Sequence, residues 1–417
     1  MTRQETDPTE TAPLPEGARD VLPVEAAELA AIEASLRATF AGFGYRQVRT
    51  PLLEFADVMD RAQDGGLGRA YRMFDDHGQV LVVRPDLTIP VARLVAGRLG
   101  EHPGPLRVSY IAERVRPAPA GRAERAEELQ AGIELVGLSG PAADAEVVAA
   151  VVVALQAVGI DDLRVALGDV SLTQAVLEGL GVAEADQTKL REAVRARNLV
   201  AWRRAAEALP VEPANRALVA TLPGLRGGRD VLTELATRVP SIEPACEALL
   251  ATLELLDAHG AGDVVMVDLG VLRDWGYYSG VVVEAYAPGV GRPVAVGGRY
   301  DGLVGKFGRA RPAIGAAVIL DRLHEAIAAR NGDTARGDGI VLVGGIDTEV
   351  AVARALRAAG FVVIGIADGD DVVRLAEVDG WRFAVQRSGD GYAVTDCSTG
   401  DVVVCTDVVE ELRSRRL

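Results

Sequence analysis

Four segments of this 417-residue chain carry side chains that could do chemistry: RPDLT (84–88), the stretch from Ser109 to Gly137, LRDWGYYSG (272–280) and GGRYDGL (297–303). Gln130 and Glu134 lie four residues apart in a stretch that reads as a strand. That spacing puts both on one face, as a shared pocket requires. Asp86 and Thr88 offer a carboxylate and a hydroxyl, and Arg116 and Arg273 offer guanidinium forks, which bind carboxylates or phosphates through parallel N–H donors. Each segment by itself has a plainer reading. Arg84 before Pro85 suits a solvated strand end. Tyr277-Tyr278 on a strand sends one ring to each face, so one of the two belongs to the core. A Gly-Gly-Arg-Tyr hairpin is ordinarily structural.

The elements that must position these residues follow from periodicity. Leu29, Ile32, Leu36, Phe40 and Phe43 predict one helix over 24–43, with Pro23 in its first turn. GFGYRQVRTP and LVVR read as strands, and DLTIPVARLVAG as a helix begun by a proline. LRVSYI (106–111) and GIELVG (132–137) read as strands bracketing a polar loop. Residues 171–260 are rich in Ala, Leu, Glu and Arg and predict a helical insertion. DVVMVDLG (263–270), YYSGVVVEAY (277–286) and PVAVGG (293–298) bring strands back, the last two joined as a hairpin. Residues 312–330 are a strand passing into a helix. This order is not a βαβ alternation, so the expected class is α+β, an antiparallel sheet flanked by helices. Residues 1–13 read as a disordered tail, 14–330 as the core, 331–338 as a linker and 339–417 as a small α/β domain.

Composition narrows the function. A net charge of −16 argues against a large nucleic-acid footprint, because phosphate binding needs dense Lys and Arg. The run Ala145 to Gly159 is too short to span a bilayer, and the opening residues carry no secretory signal. Three cysteines without CxxC spacing support neither a disulfide framework nor a zinc site. The expected location is therefore a reducing cytoplasm.

Together and in this order, the four segments resemble the catalytic core of the histidyl-tRNA synthetase family over roughly residues 14 to 330. RPDLT is similar to that family's RPEGT, YYSG to its YYTG, and GGRYDGLV matches outright. LPEGARDVLP resembles its N-terminal opening, and Pro51 sits where the class II motif 1 proline is expected. The resemblance implies a pocket for free histidine. Asp86, Thr88 and Gln130 fall on the ammonium-binding positions, Arg273 with Arg116 nearby on the carboxylate-binding ones, and Glu134 with Tyr277 and Tyr278 on those for the imidazole. No cofactor and no metal is implied.

The ATP and tRNA machinery departs from the family. Motif 2 keeps Arg116 but has Ala118 where the family has glutamate, and its loop carries Glu124, Glu127 and Glu128 against Arg122 and Arg125. Motif 3 reads GAAVILDRL (315–323). It keeps Arg322 but has Ile319 where a glycine admits the nucleotide and Asp321 where a glutamate stands. The C-terminal segment is short for an anticodon reader. This combination resembles the regulatory-subunit family of ATP phosphoribosyltransferase. That resemblance implies a subunit without activity of its own, required for the first step of histidine biosynthesis. It would act with a short-form catalytic subunit in a hetero-octamer built on homodimers, with L-histidine as effector and with neither nucleic acid nor membrane as partner. A histidine–tRNA ligase with degenerate motifs is the alternative.

Overall fold

The computed structural model describes residues 13–62, 68–118, 125–196, 198–271, 278–331, 337–344, 349–366, 372–378 and 381–415. The chain divides into two compact units, Met1–Arg330 and Asn331–Leu417.

In the larger unit the strands are β1 (Arg46–Gln47), β2 (Leu53–Phe55), β3 (Arg72–Phe74), β4 (Val80–Val83), β5 (Leu106–Val115), β6 (Glu127–Val136), β7 (Arg164–Asp169), β8 (Arg226–Gly227), β9 (Val265–Asp268), β10 (Val281–Tyr286), β11 (Ala295–Arg299) and β12 (Ala313–Ile319). Nine of them form one sheet in the order β1-β5-β6-β12-β11-β10-β7-β9-β8. The ladder is antiparallel from β5 to β7, as the strand pattern predicts, while β1 runs parallel to β5 and β9 parallel to β7. A second sheet has the order β2-β4-β3. Leu53, Phe55 and Met73 share one of its faces by register and are exposed.

The helices are α1 (Pro23–Gly42), α2 (Ala56–Ala62), α3 (Thr88–Arg98), α4 (Pro141–Ala157), α5 (Val170–Gly179), α6 (Glu184–Arg195), α7 (Leu199–Glu207), α8 (Pro213–Thr221), α9 (Arg229–Arg238), α10 (Glu243–Ala258) and α11 (Leu320–Asn331). In α1 the stripe Leu29, Ile32, Leu36 and Phe40 is buried against α4. Helix α4 is largely apolar because most of it is covered, by α1, by α10 and by β12 and β11, with Asp144 and Glu146 paired to Arg299 and Arg107. Helices α5 to α10 fill the expected helical insertion. Their apolar side chains, with Trp202 fully buried and its indole N–H on the Val219 carbonyl at 2.9 Å, belong to the same core as the sheet. No described helix is long and apolar enough to cross a membrane.

The smaller unit holds β13 (Gly337–Gly344), α12 (Val350–Ala358), β14 (Val362–Ile366), α13 (Val372–Val378), β15 (Trp381–Ser388), β16 (Gly391–Asp396), β17 (Asp401–Cys405) and α14 (Val408–Ser414). Its sheet has the order β14-β13-β15-β16-β17, parallel through the first three strands and antiparallel through the last two pairings. Val343, Leu356, Phe383, Val385, Val394 and Leu412 form its core.

Candidate functional site

The site is written on one face of the β5–β6 hairpin. Its two ten-residue strands pair from Leu106↔Val136 to Val115↔Glu127, so Val108, Tyr110, Ala112 and Arg114 stand opposite Glu134, Gly132, Gln130 and Glu128. Period-two alternation puts all eight on the same face. Strand β12 extends the rows with Gly315 beside Glu134, Ala317 beside Gly132 and Ile319 beside Gln130. Three glycines in this face exist to make room. A Cβ on Gly132 would stand 2.2 Å from the Tyr110 ring, one on Gly315 1.5 Å from Glu134 Oε2, and one on Gly298 2.7 Å from the Tyr278 ring. The two tyrosines and the glutamate therefore lie down on the sheet instead of standing off it.

Around Glu134 the polar groups converge. The Tyr300 hydroxyl, one residue beyond β11, donates to Glu134 Oε2. Thr88 at the start of α3 faces both Glu134 and the Tyr110 hydroxyl. Asp86 Oδ1 accepts the Ile89 N–H at 2.8 Å, closing the first turn of that helix. Burial pushes the Glu134 carboxyl up to about 8, and the Asp86 charge adds to this, against the opposing hydrogen bonds from Tyr300 and Thr88. A carboxyl that holds its proton near neutrality can donate one hydrogen bond and accept others. It thus matches a ring with one N–H and one lone-pair nitrogen.

This shift has a measurable consequence. A carboxyl with a raised folded-state pKa binds its proton more tightly in the folded chain than in the unfolded one. Its stabilising contribution is complete below about pH 4.5 and is lost as pH rises toward about 8. In Glu134→Gln the urea midpoint should fall less than the parent's across that window. Parallel profiles would show that Glu134 does not carry the proton.

Farther along the same face, Glu128 is the hub of a second cluster. Arg114 donates to its Oε1 from Nε at 3.0 Å and from Nη2 at 2.8 Å, Gln130 Nε2 donates to the same oxygen at 2.9 Å, and Arg322 Nη2 reaches Oε2 at 3.0 Å. Burial would push the Glu128 carboxyl up, but Arg114 and Arg322 outweigh it and hold it below the ordinary carboxylate range. Glu128 is thus a strand residue of β6, where the sequence pattern had put it in the polar loop. The adjoining cavity, about 250 Å³, is lined by Arg125, Glu128, Arg292, Ile319, Asp321, Arg322 and Glu325. Three guanidinium groups there face three carboxylates. Asp321 takes Arg125, the Leu129 N–H at 3.2 Å and Arg19 at 3.1 Å. The arginines are answered from within the chain, which leaves little field for a triphosphate.

Of the expected pocket residues, Asp86, Thr88, Glu134 and Tyr278 are brought together, and Gln130 lies two rows along the same face. Tyr278 precedes β10 and is half-buried, so the predicted strand begins later, at Val281. Arg116 Nε donates to the Pro85 carbonyl at 2.6 Å, beside the Asp86 turn. Arg273 and Tyr277 lie outside the described residues. Arg84, expected at a solvated strand end, is buried and clamps the Glu113 and Thr50 carbonyls, both at 2.8 Å. Sequence reasoning missed Tyr110, Tyr300 and Glu128. Only Tyr300 carried a signal, from its place in GGRYDGL. Among the described residues no group of three or more His, Cys, Asp or Glu could hold a metal.

Residues 17–323 match the family model for histidyl-tRNA synthetase. An ATP phosphoribosyltransferase regulatory subunit from Moorella thermoacetica is 39% identical over 360 residues, which is 84% of this chain and 91% of that one. A solved structure from Bacillus halodurans, described as an ATP phosphoribosyltransferase regulatory subunit/histidyl-tRNA synthetase, superposes with a TM-score of 0.77 at 30% identity, covering 89% of this chain and 96% of that one. Histidyl-tRNA synthetase from Nostoc shares the fold at a TM-score of 0.80 and 20% identity, covering 98% and 100% of the two chains.

Proposed function

The chain belongs to the histidyl-tRNA synthetase family and, within it, to the ATP phosphoribosyltransferase regulatory subunits, and from that premise we propose that it is a histidine sensor with no catalysis of its own. It acts in the first step of histidine biosynthesis, in the cytoplasm, on a short-form catalytic subunit that transfers the phosphoribosyl group. L-Histidine bound around Glu134, with Asp86, Thr88, Arg116, Gln130, Arg273, Tyr277 and Tyr278, mediates feedback. One observation carries this reading: a polar pocket prepared around Glu134 sits beside a nucleotide-side cavity whose arginines are already paired with Glu128 and Asp321. An adenylating enzyme needs both halves of the cleft, whereas a sensor needs one. The exposed apolar face of β2-β4-β3, with Leu53, Phe55 and Met73, supports a homodimer as the building block of a hetero-octamer.

Because the chain has no transfer chemistry, histidine acts by binding two states of the complex with different affinity, and the coupling is reciprocal. Calorimetry should show L-histidine binding to the isolated chain, and histidine-dependent pyrophosphate–ATP exchange should be absent. Adding the catalytic subunit should switch on transferase activity, which histidine then lowers. Glu134→Ala should keep that activity and lose the inhibition. Robust exchange would return the chain to the ligases. Full inhibition in a variant shown not to bind histidine would place the effector site on the partner.

A further inference from the structure

The Glu128 cluster has a consequence for the pocket at the other end of the same strand face. Glu128, Gln130, Gly132 and Glu134 follow one another along β6 on the cleft side. A buried carboxylate flanked by Arg114 and Arg322 is ionised and can only accept hydrogen bonds. Gln130, itself buried, must therefore turn its amide nitrogen toward Glu128, and the 2.9 Å contact is the result. Its carbonyl oxygen is thereby turned away from Glu128. No described residue donates a hydrogen bond to that oxygen.

An amide can usually turn over, presenting a donor or an acceptor to a ligand. Here the turn is blocked, because rotation would set the Gln130 oxygen against the Glu128 carboxylate. Ala112 and Ile319 flank Gln130 in the ladder and offer no alternative side-chain partner.

We propose that Glu128 is a positioning residue for the pocket: held by Arg114 and Arg322, it fixes the Gln130 amide so that only its carbonyl oxygen meets the ligand, which selects for a cationic amine. This deepens the histidine reading and rests on it. The arginine of motif 3 and its counter-charge thereby acquire a role in amino-acid selection that needs no nucleotide.

The test compares L-histidine with 3-(imidazol-4-yl)propionate, which keeps the ring and the carboxylate but lacks the ammonium, by calorimetry on the full chain. Glu128→Gln frees the Gln130 amide to turn. It should lower affinity for L-histidine by about tenfold, the scale of one charge-assisted hydrogen bond, and leave the des-amino analogue unchanged. Glu128→Asp keeps the counter-charge for both arginines but withdraws the acceptor by one methylene. It should shrink the preference for the amine in the same sense while preserving the fold, which covers the case in which Glu128→Gln does not fold. Equal loss of both ligands would reduce Glu128 to a structural residue and overturn the proposal, as would an unchanged ratio in either variant. The parent's own L-histidine isotherm tests the functional reading; the ratio between ligands in the variants tests this one.

Discussion

Replacing Arg299 by methionine should destabilise the larger unit by about 3–5 kcal/mol, because it strands a buried carboxylate. Arg299 Nε and Nη2 both reach Asp144 Oδ1, at 3.0 and 2.6 Å, and each side chain is only 8% exposed. Burial already pushes the Asp144 carboxyl up to about 6 against the pull of Arg299. Without the arginine, α4 must either carry an unpaired charge into the core or bind a proton. Adding Asp144→Leu to Arg299→Met removes the orphan, and the double variant should be more stable than the single one. Urea denaturation of the four species measures the cycle. A single variant within about 1 kcal/mol of the parent would show that the pair is not the anchor. The expected damage also extends to the pocket, since the next residue is Tyr300, which holds Glu134.

Gly315→Ala should cost L-histidine binding about tenfold to a hundredfold or more, the range for losing a charge-assisted partner. The new methyl group would stand 1.5 Å from Glu134 Oε2 and 2.7 Å from the Ile133 carbonyl. The carboxyl has to leave its place, and overpacking adds about 1–3 kcal/mol of instability. Gly302, where a Cβ meets nothing within 4 Å, is the control: Gly302→Ala should bind as the parent does. A folded Gly315→Ala chain with parental affinity would mean that Glu134 does not touch the ligand.

What could be read from the sequence was what periodicity encodes. Four apolar residues of α1 at helical spacing marked its buried stripe, and the spacing of Gln130 and Glu134 marked their common face. The apolar run in α4, broken by Glu146 and Gln156, was too short to span a bilayer and did not say what it packs on. The rest depended on pairings between distant residues. Strand β6 begins five residues earlier than its apolar pattern, at Glu127, because Arg114 across the ladder and Arg322 on α11 neutralise Glu128. No local pattern shows that compensation. Tyr300 meets Glu134 only because β12 lies between β11 and β6. The reason for glycine at 132, 298 and 315 becomes intelligible only once the rings and the carboxyl that lie over them are in place.

The seating of β12 against β6 also sets a schedule for the nascent chain. Glu134 finds its neighbour Gly315 only after roughly 180 further residues have been added. At about 5–20 residues per second, the β5–β6 hairpin waits roughly ten to forty seconds with the β12 side of β6 unpaired. Helix α4 follows that hairpin directly and is largely apolar, so it must stay out of reach of other hydrophobic surfaces for the same interval. Helices α5 to α10 are built from local contacts, which form fast, and α10 among them can cover one flank of α4 before β12 arrives. Slowing translation before α10 is complete should therefore lower the soluble yield of this chain more than slowing it between residues 259 and 312 would.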